Sequence, residues 1–199
     1  NSPQHTVKTL IIASAVGYYN KTDLRNKSEI SNPGTSFESE LCQAIETTIK
    51  PEDFPHIRIV YVRLGVVLSS HGGALKKLLP PFKFGLGGRL GHGNQPFPWV
   101  SLTDATRAIQ YCLENKNISG PVNITAPVQD TNRTFTKALS THLKRPTWFP
   151  LPAFMVKFMF GEMGEELLLK GCYVRPKKLR LHGFKFKHKN LADALKTEL

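Results

Sequence analysis

Three cysteines in 199 residues, Cys42, Cys112 and Cys172, are odd in number and far apart, which excludes a disulfide-stapled extracellular domain. No apolar run approaches the roughly 20 residues of a membrane span, and no signal-peptide pattern opens the chain. Acidic residues are scarce: 27 Lys and Arg face 15 Asp and Glu, for a net charge of +12. From Lys170 to Lys189 there is no acid at all. The seven histidines show no metal-ligand spacing, so no metal site is expected. A reducing compartment, cytoplasmic or an organellar matrix, fits this cysteine usage. What remains is an ordinary globular balance, 40% hydrophobic and 21% charged, long enough for one domain with a small appendage.

The continuous β-branched run from Val7 to Ala13 reads as a buried strand. Ser36 is placed to cap a helix over about 37–49 with Phe37, Leu41, Ile45 and Ile49 on one face. His56 to Arg63 reads as a second strand running into Leu64–Leu68, and Gly120 to Thr125 as a third. Helices are expected from Thr103 or Asp104 to Asn115, with Asp104 as cap and Ala108, Ile109 and Leu113 inward, and from Asp130 or Thr131 through Phe135, Leu139 and Leu143. The Gly- and Pro-rich stretch from His71 to Pro98 reads as a functional or irregularly packed loop. Strands separated by helices predict an α/β layered fold with a parallel sheet.

After Arg145-Pro146 the character changes. An apolar helix carrying Met155, Val156, Phe158, Met159 and Phe160 is expected, then an amphipathic piece around Glu165 to Lys170. Residues 1–132 hold 13 basic against 10 acidic side chains, whereas 133–199 hold 14 against 5, so the charge lives in the tail. Lys185, Lys187 and Lys189 alternate with Phe184, Phe186 and His188, which reads as a strand with one charged face. That face is either a solvated surface or a site for RNA, another polyanion or a protein partner. The Asn-x-Ser/Thr triplets at Asn20, Asn26, Asn117, Asn123 and Asn132 would accept glycans only in a secreted protein.

Several phrases carry a family resemblance: Ala13-Ser14-Ala15-Val16-Gly17-Tyr18-Tyr19, Arg63-Leu64-Gly65-Val66-Val67-Leu68, Leu79-Pro80-Pro81-Phe82-Lys83-Phe84-Gly85, Gly91-His92-Gly93-Asn94-Gln95, and Gly120-Pro121-Val122-Asn123-Ile124-Thr125. The tail adds Pro150-Leu151-Pro152-Ala153-Phe154 and Gly183-Phe184-Lys185-Phe186. The chain resembles the atypical, epimerase-like branch of the short-chain dehydrogenase/reductases, whose members carry a C-terminal module of unknown function. The resemblance implies a Rossmann-like NAD(P)-binding domain over 1–145 and a basic, mostly helical module over 146–199. Family members open with a strand, a Gly-rich turn and a helix that seat the cofactor pyrophosphate. Nothing here matches that segment, so either the chain is the C-terminal part of a longer protein, its first βαβ units missing, or the cofactor half has been lost. NADP or NAD is expected only in the first case. A sheet without its first strands is also expected to have its edge covered by further residues or a partner chain.

By the same resemblance Ser14 occupies the place of the carbonyl-polarising Ser, at the C-terminal end of a parallel strand. The general-acid Tyr and the Lys that tunes it fall on Phe37 and Leu41, which can do neither task. Tyr18 or Tyr19 is then the substitute acid, and Ser14 and Tyr18 are the candidate catalytic pair. The plainer reading is that Ser14 starts a turn and a tyrosine packs. Ala13, Arg63, Leu64, Gly65 and Val66 are expected beside the nicotinamide, with Gly65 as the close-approach position. Lys83, Arg89, Gln95 and Trp99 are the candidate wall for a small polar substrate. The reaction read from these residues is oxidoreductase- or epimerase-like with an unknown substrate. The alternative is a non-catalytic Rossmann-like subunit that binds a polyanion or a protein within a larger assembly.

Overall fold

The computed structural model describes residues 7–23, 25–147 and 170–199. Three β-rich segments, β1 (Thr9–Ala15), β2 (Arg58–Leu64) and β5 (Gly120–Ile124), form a parallel sheet in the order β1-β2-β5. Two shorter strands, β3 (Val66–Leu68) and β4 (Trp99–Ser101), make a second parallel pair. Pro121 has no N–H to give a ladder, and it sits in β5 at the end of the sheet order, where none is required. β1 is the other end strand, and its outer edge has no paired strand among the described residues.

Alternation along each strand sends side chains to opposite faces. Val60, Val62, Val122 and Ile124 face α3 (Leu102–Glu114), which buries Ala105, Ala108 and Cys112 against them. α1 (Phe37–Thr48) covers part of the opposite face. Ser36 caps it as expected, but the stripe of Phe37 and Leu41 does not face inward: Ser39 and Cys42 are buried, while Phe37 is 78% and Leu41 51% exposed. Ser39 and Cys42 donate to the carbonyls of Tyr18 and Ala15, so hydrogen bonds to the strand-end turn, rather than the apolar stripe, set the rotation of this helix. Leu113 likewise turns outward.

The Gly- and Pro-rich stretch contains a helix that its composition hides. α2 (Gly73–Lys83) buries Leu75, Leu78, Leu79 and Phe82. Pro80 and Pro81 lie in its last turn, and the burial of four large side chains outweighs the two N–H groups they remove. These residues share a core with Trp99, with Phe135 and Leu139 of α4 (Asn132–Leu143), and with Leu191, Ala194 and Leu195. The last three belong to α6 (Leu191–Glu198), preceded by the short α5 (Lys177–Leu181). Residues from the middle and from the C-terminal end of the described chain therefore build one hydrophobic cluster.

The 184–189 segment alternates in burial as expected, with Phe184 and His188 in and Lys185, Lys187 and Lys189 out, but it is not a strand. Its backbone N–H groups at Lys187 and His188 donate to the two carboxylate oxygens of buried Asp104, at 2.9 and 2.8 Å. Asp104 is not the helix cap either: Ser101 caps α3 by accepting from Asp104 N. The helices expected between residues 150 and 170 lie outside the described residues. No described helix is long and apolar enough to cross a membrane.

Candidate functional site

Ser14, Arg63 and Asn123 are register partners on consecutive strands, Ser14 opposite Arg63 and Arg63 opposite Asn123. Three polar residues thus form one rank across an otherwise apolar sheet, near the C-terminal ends of its strands. A bare Arg in this position would be very costly. Glu46 of α1 answers it: Arg63 donates through Nε to Oε1 at 2.8 Å and through Nη2 to Oε2 at 2.6 Å. Ser14 Oγ donates to the same Oε1 at 2.8 Å. Arg63 Nη1 donates to Tyr19 Oη at 2.8 Å, and Tyr19 donates to Asn123 Oδ1 at 2.7 Å. The guanidinium carbon lies 3.4 Å from the centre of the Tyr18 ring, a cation–π contact in a desolvated place. Burial opposes the Arg63 charge, yet the bonds to Glu46 and Tyr19 raise its pKa above the ordinary arginine value.

Beside this rank opens a cleft of about 420 Å³, lined among others by Tyr18, Glu29, Glu46, Tyr61, Arg63 and Pro121. The two tyrosines of the turn differ. Tyr18 is half-buried at the cleft, whereas Tyr19 is fully buried and its phenol is pushed up to about 12, chiefly by burial. The Tyr19 hydroxyl is spent inside the protein, on Arg63 and Asn123. Burial also pushes the Cys112 and Cys172 thiols up to about 11. In each case the unfolded chain ionises first, so the folded state is favoured fully below the ordinary pKa and loses that advantage above it. Stability should hold to about pH 9 and then fall steadily through pH 12. Urea midpoints between pH 8 and 11 measure this, and Tyr19→Phe should flatten the part of the slope above pH 10.

The other face of the same strand ends is built differently. Ile11 packs toward α3, so Ala13, two residues on, shares its face, and Ala13 is exposed although it lies within a strand. Ala15 pairs with Leu64, and Leu64, Gly65 and Val66 are half-buried there. The structure thus places Ala13 beside the Leu64–Val66 segment, where β2 passes into β3, on one rim. It turns the Ser14 hydroxyl to the opposite face, toward Glu46. Gly65 is a close-approach position, but to protein: a Cβ there would lie 2.4 Å from the Pro98 carbonyl oxygen.

Of the expected substrate wall, none lines the cleft. Trp99 is 1% exposed, sits in the α2–α4 core and donates from Nε1 to Asp130 at 2.8 Å. Gln95 is buried with its amide on the Leu90 carbonyl at 2.9 Å. Lys83 and Arg89 are exposed. Nothing in the sequence marks Glu46 or Glu29, and Asn123 stands out there only as part of the Gly120–Thr125 strand and family phrase and of a glycan triplet. Asn123 is fully buried, as is Asn132, which removes both as acceptors. Among the described residues no group of three or more His, Cys, Asp or Glu is arranged for a metal ion.

Three comparisons bear on this geometry. A domain of unknown function, DUF1731, matches residues 151–198. An epimerase family protein of Mycobacterium tuberculosis is 44% identical over 95% of this chain and 63% of its own length. A chloroplastic epimerase family protein, the SDR39U1 homolog of Arabidopsis thaliana, is 36% identical over 99% of this chain and 56% of its own length. The chain so spans less than two thirds of the curated relatives it matches. A crystal structure of the human epimerase family protein SDR39U1 (isoform 2) with NADPH superposes with a TM-score of 0.88 at 33% identity, covering 96% of this chain and 65% of that one.

Proposed function

Because the chain belongs to the epimerase-like family of atypical short-chain dehydrogenase/reductases, we propose that it forms the substrate-side part of an NADP(H)-binding protein with oxidoreductase- or epimerase-like chemistry. The observation that carries this reading is exposed Ala13 beside the half-buried Leu64–Val66 segment, in a fold that resembles a relative crystallised with NADPH. The described residues suit the nicotinamide end of the cofactor. Exposed Ala13 offers a flat, small surface at the C-terminal strand ends, where ligands of parallel α/β sheets lie. No described Gly-rich strand–turn–helix offers a pyrophosphate cradle. When bound, the dinucleotide supplies or accepts a hydride. The chain's own part at this rim is to seat the nicotinamide; the expected acid, Tyr18, lines the cleft on the opposite side of the sheet, beside the Arg63 charge. Ser14 acts through Glu46 in holding Arg63 in place. In this proposal residues 1–145 carry the nucleotide-binding portion and 146–199 the appended module.

The polyanion-binding alternative draws on charge alone. Lys178, one of its cations, is half-buried and donates to the Ser119 carbonyl at 2.7 Å. The test is a melting-temperature titration of the natural full-length protein with NADPH and with NADH. A saturable rise of several degrees with NADPH is expected, and no rise with either nucleotide would overturn the reading.

A further inference from the structure

The module of unknown function begins its described part with a strap, residues 171–178, whose fit to the site suggests what the module is for. Gly171 enters where a Cβ would lie 2.0 Å from the Pro96 carbonyl oxygen, so only glycine passes. On one side the strap hydrogen-bonds like a strand: Lys27 N donates to Tyr173 O at 2.7 Å and Arg175 N to Lys27 O at 2.9 Å. On the other, Thr125 Oγ1 and Asn123 Nδ2 donate to the carbonyls of Val174 and Arg175, at 3.2 and 3.1 Å. Cys172 and Val174 are buried in one small cluster with Val16 and Tyr19, and Tyr18 packs against it.

Two buried residues carry this contact into the polar rank. Asn123 meets the strap through Nδ2 and Tyr19 through Oδ1, so one amide joins the module to the hydroxyl that holds Arg63. Glu29 accepts from Asn123 N at 3.2 Å and from Lys178 N at 3.0 Å through a single oxygen, tying the start of α5 to β5. The Arg63–Tyr18 wall of the cleft therefore has the strap behind it, in van der Waals contact and in an unbroken hydrogen-bond chain from Arg175 to Glu46.

We infer that the C-terminal module is a positioning element for the candidate site: its strap fixes Tyr18 and Arg63, with Asn123 and Glu29 as the positioning residues that transmit the hold. This goes beyond cofactor binding and stands whether or not NADPH binds. A packed module with a merely structural role would open on its own and leave the Arg63 Nε–H protected.

Native-state hydrogen exchange of the unmodified protein, read by NMR at low urea, separates the two. The amides of Lys27 and Arg175 and the Arg63 Nε–H should open as one unit, with the same urea dependence. In Gly171→Ala, which touches none of these hydrogen bonds, all three should exchange faster by about tenfold or more, the weight of one hydrogen bond to a charged group. The Arg63 Nε–H resonance should also shift. Leu139→Ala, placed in the other core, serves as a control of lowered stability and should leave that resonance in place. Should Gly171→Ala not fold, the unmodified protein still decides. An Arg63 Nε–H that stays protected after the strap amides have opened overturns the inference.

Discussion

Replacing Glu46 by alanine should destabilise the protein by about 3–5 kcal/mol, because it strands a buried guanidinium. The Arg63 side chain is 3% exposed and that of Glu46 10%, so solvent cannot take over the lost partner. Ser14 loses its acceptor in the same step. The size of the loss is not a measure of the pair's net worth. An ion pair this deep has already forfeited its hydration, and the double replacement Arg63→Met with Glu46→Leu should recover most of the deficit. Urea denaturation of the two single variants and the double variant closes the cycle. A loss below about 1 kcal/mol for Glu46→Ala, typical of surface pairs, would mean that water reaches Arg63 and that the rank is not a desolvated wall.

Trp99→Ala should cost about 3–5 kcal/mol in stability, as for other fully buried aromatic residues, and leave ligand binding unchanged. Trp99 contacts the core shared by α2, α4 and α6, and its indole N–H is spent on Asp130. The opposite pattern, a stable protein with weakened binding, is what a residue lining a substrate pocket would give. Urea unfolding beside NADPH affinity distinguishes them, the affinity being taken at a temperature where the variant is folded.

The alternation of strand and helix, the caps at Ser36 and Thr131 and the inward Phe135 and Leu139 were legible because each depends on residues close in sequence. So was the family, through phrases that survive as whole words. α2 was not legible, since two prolines and a run of glycines argue locally against a helix and only tertiary burial argues for it. The apolar stripe of Phe37 and Leu41 pointed the wrong way for a related reason. A helix turns its apolar side inward only when the surface beneath is apolar, and beneath α1 lie the Ser14–Arg63–Asn123 rank and two strand-end carbonyls. That rank is a matter of register between strands about 50 and 60 residues apart in the chain, which no local pattern encodes. A signal was present all the same: Arg63 and Asn123 are polar residues inside buried parallel strands, and such residues need a partner. For Arg63 that partner is Glu46, a carboxylate on the same side of α1 as Ser39 and Cys42.

Ala13 is an exposed alanine in a strand, where an ordinary core would have closed over it. The decisive measurement is the NADPH dissociation constant of the natural full-length protein carrying Ala13→Trp, set against the unsubstituted protein. An indole added at an exposed position leaves the fold intact and fills the rim, so affinity should fall by about a hundredfold or more with the melting temperature of the free protein unchanged. Undiminished NADPH affinity in the Ala13→Trp protein would contradict the assignment of this rim to the cofactor.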